Sequence, residues 1–386
     1  VNAHCHLELS HLKGAIAEGG GFAVFAAGLG AVRNGFSAVE RADAMRRADE
    51  DMFRAGISAV GDVSNDASSF AAKSGSPIHY HTFLELYGLG HDSAGVLAPA
   101  AAEAPAKGLE YTITPHSTYS LNKAGFSAAV AGLGNGGSLA EGGSGIAATG
   151  LPERILLTGS YQGAGLEGRT SGEAPEGNSG HSRGVGRGNA FQPGGGPLSI
   201  HFMETAEESE LFRGGGHMAE WYASRGFKTD FLEYGSPAGG IMAQVPSDRD
   251  ILLIHNCHVT EDIIDRIESH FTGQVTWVLC PGSNNFISRA FPPVHLMRKK
   301  GVRIAVGTDS LASNHSLDLV EELKMFSGVP LEELLSWVVD NGAEALGVSG
   351  DLGGFDVGKR CGAVLLQGID WDSMSLSSDS RAVRLV

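Results

Sequence analysis

Apolar positions along this chain follow two alternating patterns. From Val39 to Ala55, Met45, Ala48, Met52 and Ala55 share one helical face among charged residues, and Gly56 follows where a helix stops, which predicts an amphipathic helix. Directly after it, residues 57–62 (ISAVGD) are short, β-branched and mostly apolar, the pattern of a strand buried in a parallel sheet. Runs of the same kind return at 78–86, 111–117, 197–202, 250–256, 275–281 and 303–310, and the opening VNAHCH brings the number to eight. Helical patterns separate most of them. After 250–256, for example, Thr260 is placed as an N-cap, Glu261 and Asp262 fill the first turn, and Ile263, Ile264, Ile267 and Phe271 form the buried stripe. Eight strands alternating with helices predict an α/β fold, a (β/α)8 TIM-like barrel. It extends to about residue 348 and ends on a helical stretch at 331–347, while 362–371 and 381–386 read as two further strands outside it.

One segment departs from the pattern. Between 132 and 197, 21 of 66 residues are glycine, a composition too poor in apolar surface to offset the entropy of ordering, so a flexible insertion is expected. Its GLGNGG (132–137) matches GxGxxG but follows a helix where a dinucleotide site needs a strand, and that reading fails. Only residues 153–159 have the makings of an ordered element. Following the helix after the fourth strand, the insertion should leave the barrel on the face opposite the usual active site.

Composition narrows the partners. A formal net charge of -16 repels phosphate backbones and anionic lipid, which argues against nucleic acid and membrane partners. No apolar run approaches the ~20 residues of a membrane span. The four cysteines, Cys5, Cys257, Cys280 and Cys361, form no CxxC pair, which fits a reducing, cytoplasmic location. The chain opens without Met and without a signal peptide, and its first chemical motif stands at residue 4, so an upstream segment is expected to be missing. A small-molecule substrate is the partner expected; a homo-oligomer is left open.

The candidate chemistry lies at strand ends. His4 and His6 form an HxH pair on the first strand, where period-two geometry turns both imidazoles to one side. His201 ends the fifth strand with Glu204 three residues on, His255 closes the sixth, and Asp309 closes the eighth. Each has an ordinary explanation alone: incidental histidines, or a glutamate favoured by a helix dipole. Together they occupy the carboxyl ends of strands one, five, six and eight, the face that carries barrel active sites.

HCH at 4–6, HFME at 201–204, His255 and GTDS at 307–310 resemble the amidohydrolase superfamily, in its mononuclear deaminase and chlorohydrolase branch. HLELS at 6–10, PHSTYS at 115–120, CPGSN at 280–284 and TDSLASN at 308–314 are similar to aminodeoxyfutalosine and S-adenosylhomocysteine deaminases, although Gly282 stands where that family usually has a basic or bulky residue. The resemblance implies that residues 349–386 are part of a β-sandwich appended to a 1–348 barrel. It further implies that His4, His6, His201 and Asp309 hold one divalent ion, zinc with iron as the alternative. Glu204 would move protons, His255 would polarise the attacking water, and Asp309 would both bind the ion and accept a proton. His116, Glu8 and Ser310 would contact substrate. The binuclear branch needs a lysine at the end of strand four, which YTITPHS lacks, so one ion is expected. The implied activity is hydrolytic deamination of an aminated purine nucleoside or related heterocycle with release of ammonia. A chlorohydrolase or cyclic amide hydrolase with the same centre, and a non-catalytic metal-binding homologue, remain alternatives.

Overall fold

The structure is a computed structural model and describes residues 1–89, 93–132, 196–360 and 362–386. Residues 133–195, nearly the whole of the glycine-rich segment with its GLGNGG and 153–159 runs, lie outside the described residues.

The expected strands form in order: β1 (Asn2–Cys5), β2 (Ala59–Ser64), β3 (His79–Leu86), β4 (Glu110–Pro115), β5 (Leu198–Phe202), β6 (Ile251–His255), β7 (Val275–Leu279) and β8 (Ile304–Val306). They pair as two four-stranded parallel sheets, β1-β2-β3-β4 and β5-β6-β7-β8. Parallel bridges Ser117↔His201 and Cys5↔Asp309 join β4 to β5 and β8 back to β1, closing the ring as a (β/α)8 barrel. Both seams therefore pass through, or beside, residues of the histidine cluster.

Helices cover the outside as the apolar spacing demands. Ala38–Arg54 starts on a capping box, Ser37 with Glu40, and buries Met45, Ala48 and Met52. Thr260 caps Glu261–His270 by accepting from the Ile263 N–H, and Ile264 and Ile267 are buried beneath it. Along β6, Ile251 and Leu253 join the core between strands and helices, whereas Leu252 and Ile254 join a smaller cluster with Ala3, Val63, Phe83, Val278 and Ala305. Strand alternation assigns that smaller cluster to the barrel interior. Gly307 follows β8 where a Cβ would meet the backbone nitrogen of His4 at 2.9 Å, so only glycine lets the chain pass this close to the HxH strand.

The helical stretch expected at 331–347 is two helices, Leu331–Val338 and Asp340–Ala345, broken at Val339. Beyond them β9 (Val364–Asp370) and β10 (Ser375–Arg384) form an antiparallel pair. Arg384 ties the pair to the barrel through the carbonyls of Phe53 and Ile57, at 2.8 and 2.9 Å. Among the described residues no helix is long and apolar enough to cross a membrane.

Candidate metal centre

At the carboxyl end of β1, where a register shift falls between Asn2 and Cys5, His4 and His6 stand with their ring centroids 4.9 Å apart. His201, from β5, stands 4.9 Å from His4 between centroids, and its Nε2 lies 3.4 Å from His6 Nε2. Ligand atoms, one each from His4, His6 and His201, lie within 4.8 Å of one another, and all three residues are buried. Asp309 completes the cluster, with Oδ1 at 3.8 Å from His4 Nε2 and 3.6 Å from His6 Nε2.

Whether these residues suit a metal is answered by His4. Both of its ring nitrogens are buried and neither has a hydrogen-bond partner, a costly state that coordination would relieve. Three imidazoles and a carboxylate are also the donors that zinc and ferrous iron accept. The residues fit one such ion.

Two carboxyls in this cluster are driven in opposite directions. Burial raises Asp309, but His6, His255, His4 and the Ser283 hydroxyl outweigh it and hold the carboxyl far below its usual range. Glu204 is pushed well above the carboxylate range by burial, then by the Asp309 and Glu208 carboxylates. Divergent pKa values on neighbouring carboxyls separate a group that stays ionised from one that can carry a proton. Burial likewise lowers His4 and His201, and brings His255 down to about 4, so these rings are neutral.

Alternation along β6 would send His255 to the helix side with Ile251 and Leu253. Its φ of 77° breaks the alternation, and its ring lies 5.8 Å from that of His4. Asn284 Nδ2 donates to His255 Nδ1 at 3.0 Å, which leaves the ring proton on Nε2, 3.8 Å from Glu204 Oε1. Met203 and Asp309 also have positive φ, at 49° and 56°; strained backbone of this kind collects at functional sites.

The three expected substrate contacts have different surroundings. His116 stacks on His201 at 4.3 Å and meets Glu85 Oε1 through Nδ1 at 2.8 Å. Glu8 lies apart from the imidazoles, between Arg33 Nη2 at 2.8 Å and the Asn65 N–H at 2.9 Å, and burial raises it to about 7. Ser310 Oγ lies 3.1 Å from Ser313 Oγ, which in turn donates to Asp309 Oδ2 at 2.9 Å.

Several supporting residues escaped the sequence reading. Glu208 accepts the Met203 and Glu204 N–H groups at 2.9 and 2.7 Å and so holds the turn that carries Glu204. Asp62 accepts the Leu7 N–H at 2.7 Å, just past His6, and is paired in the interior with Lys73 at 2.5 Å. Glu322 accepts from the Gly282 N–H at 2.8 Å and Asn314 Nδ2 at 2.6 Å, in space that a side chain at position 282 would need. None of the three forms a motif. The one available signal was a charged residue inside an apolar run, as for Asp62 in ISAVGD.

Fold and site define a (β/α)8 barrel with an imidazole–carboxylate cluster at the carboxyl ends of its strands. Residues 195–381 match the model of the amidohydrolase family. The chain is 30% identical over 183 residues to a 5-methylthioadenosine/S-adenosylhomocysteine deaminase of Halalkalibacterium halodurans, a match covering 44% of this chain and 37% of that relative. The matched part is thus well under half the length of that relative. Among solved structures it is similar to the aminofutalosine deaminase of Helicobacter pylori in complex with methylthio-coformycin, with TM-score 0.65, 22% identity, and 93% of this chain and 76% of that one covered. It is also similar to the zinc complex of atrazine chlorohydrolase from Arthrobacter aurescens, with TM-score 0.58, 15% identity and coverages of 93% and 72%. At these identities the structural likenesses speak for the fold.

Proposed function

We propose that this chain is a hydrolytic deaminase that uses one divalent ion, zinc or iron, to release ammonia from an aminated purine nucleoside or related heterocycle. The observation that carries the reading is the buried His4 ring, its nitrogens without a hydrogen-bond partner, facing His6, His201 and an ionised Asp309, with a protonatable Glu204 carboxyl 3.8 Å from His255 Nε2. The name of the curated relative supports the substrate class. In this reading residues 1–348 are the catalytic barrel and 349–386 an appended pair of strands.

His4, His6, His201 and Asp309 would hold the ion, which supplies a water activated near neutral pH. Glu204, buried and raised, holds a proton at its carboxyl and can deliver it to a ring nitrogen or a leaving amine. His255 is kept neutral by burial and positioned by Asn284, so its Nε2–H can donate to an incoming oxygen. Asp309 stays ionised and can accept a proton. His116, Glu8 and Ser310 are assigned to the substrate side, and the burial of the cluster excludes bulk water.

The test is ammonia release by zinc-loaded protein from adenosine, 5′-thioadenosine nucleosides and an aminofutalosine-type nucleoside, with a chlorinated triazine as a separate arm. Ammonia from a nucleoside, abolished by a chelator and restored by zinc, is the expected result. Chloride release from the triazine with no ammonia from any nucleoside would replace this reading with the chlorohydrolase one.

A further inference from the structure

A chain of buried and half-buried polar groups runs beside the cluster, from Arg33 to His201. Arg33 Nη2 donates to Glu8 Oε1 at 2.8 Å, and the Asn65 N–H donates to Glu8 Oε2 at 2.9 Å. Asn65 Nδ2 then donates to Glu85 Oε2 at 3.1 Å. The other oxygen of Glu85 receives His116 Nδ1 at 2.8 Å and stands 3.5 Å from His201 Nδ1. Glu85, near the end of β3, is 3% exposed. Ionised carboxylate at that depth is costly unless its oxygens are used, and here one of them serves two imidazoles. Burial opposes its ionisation, but His116, His6 and the Asn65 amide outweigh that and keep the carboxyl below its usual range.

The consequence falls on His201. Its Nδ1 lies 3.2 Å from the His116 carbonyl, an acceptor that places the ring proton on Nδ1, and the negative Glu85 Oε1, 3.5 Å away, favours the same tautomer. Nε2 is left with its lone pair toward His6 and His4. Without the Glu85 carboxylate His201 Nδ1 loses the negative charge beside it, and His116, stacked on the ring at 4.3 Å, loses its only side-chain hydrogen-bond partner among the described residues.

We propose that Glu85 is a positioning residue: its carboxylate grips His116 and faces the far nitrogen of His201, fixing the rotation and tautomer of the one imidazole that both the ion and the substrate side share. It acts through these rings and touches neither ion nor substrate. The inference rests on the proposed role of His201 as a ligand, and it extends that role to a strand that contributes no ligand of its own.

The experiment measures the zinc dissociation constant by competition with a chromophoric chelator and the visible spectrum of the cobalt-loaded protein, for the whole chain and for Glu85→Ala, Glu85→Gln and Asn65→Ala. Removing a group that orients a metal-bound histidine costs roughly 10- to 100-fold in affinity, so Glu85→Ala should weaken zinc by that factor and alter the cobalt bands. Glu85→Gln should recover most of the loss, because its amide oxygen still accepts a ring N–H. Asn65→Ala removes the donor to Glu85 Oε2, together with a longer contact from Arg33 Nη2 to Asn65 Oδ1 at 3.4 Å, and should shift both readouts in the same direction by less; it stands in for Glu85→Ala if that variant does not fold. Unchanged zinc affinity and cobalt spectrum in folded Glu85→Ala would overturn the proposal. So would two bound ions in the parent falling to one in Glu85→Ala, which would make Glu85 a ligand beside His116 and His201. Neither readout uses turnover: a parent chain that fails to bind zinc refutes the proposed function, whereas a parent that binds it with an indifferent Glu85 refutes this inference alone.

Discussion

Ser283 Oγ lies 2.5 Å from Asp309 Oδ2, and that contact decides which oxygen of Asp309 faces the histidines. Ser313 Oγ takes the same Oδ2 at 2.9 Å, so Oδ1 alone is turned to His4 and His6. The helix after β7, Pro281–Ser288, thereby orients a carboxylate carried by the loop after β8.

Ser283→Ala removes the shorter of these two bonds without changing a charge. Zinc affinity should fall by roughly 10- to 100-fold, the usual cost of losing an orienting partner of a ligand, while the melting temperature of the metal-free chain stays close to that of the parent. Chelator competition and calorimetry check the two halves.

His255→Asn should keep the ion and lose turnover, since His255 Nε2 faces Glu204 and its ring is not part of the three-histidine group. A loss of roughly 10²-fold or more is expected, the scale of one donor aimed at developing charge. Metal content by elemental analysis, measured on the same sample as kcat, separates this from a binding defect.

Glu322 gives the metal-free chain a pH dependence with a definite sign. Burial raises its carboxyl to about 8, against the opposing Gly282 N–H and Asn314 amide. Between the ordinary value of 4.5 and about 8 the folded chain holds a proton that the unfolded chain has released, so this group lowers stability as pH rises through that window. The melting temperature of Glu322→Gln should therefore fall less between pH 5 and 8 than that of the parent.

The described chain leaves the barrel at Gly132, past the helix Lys123–Val130, and returns at Gly196, ahead of β5. Gly196 sits against Thr112 and His81, toward the start of β4 and away from the histidine cluster. Replacing most of residues 134–194 with a short linker should accordingly leave kcat/KM within a few-fold, measured on whichever nucleoside the parent deaminates.

The barrel was legible because its strands are short, mostly apolar runs set between helical patterns, and β6 and β7 are buried along their whole length. His4, His6, His201, His255 and Asp309 were legible because strand ends place them at one mouth. Other features had no such signal. The helix break at Val339 lies inside a continuous helical pattern, and the turn that brings His255 inward depends on a backbone φ that its side chain does not announce. Glu85 lay within an apolar strand run with nothing to mark the two histidines it would meet, one from β5 and one beyond β4. Ser283 and Asn284 stood inside CPGSN, but their partners Asp309 and His255 come from other β/α units of the barrel, and spacing along one chain does not encode such contacts.

The division of labour between Glu204 and His201 is tested most directly by measuring zinc content and ammonia release together in two variants, Glu204→Gln and His201→Ala. Glu204→Gln should bind zinc as the parent does while kcat falls by the ~10²–10⁴ of a general acid–base group, and His201→Ala should lose both. Near-parental deamination by Glu204→Gln, or loss of its zinc as complete as in His201→Ala, would contradict the assignment of proton transfer to Glu204 and metal binding to His201.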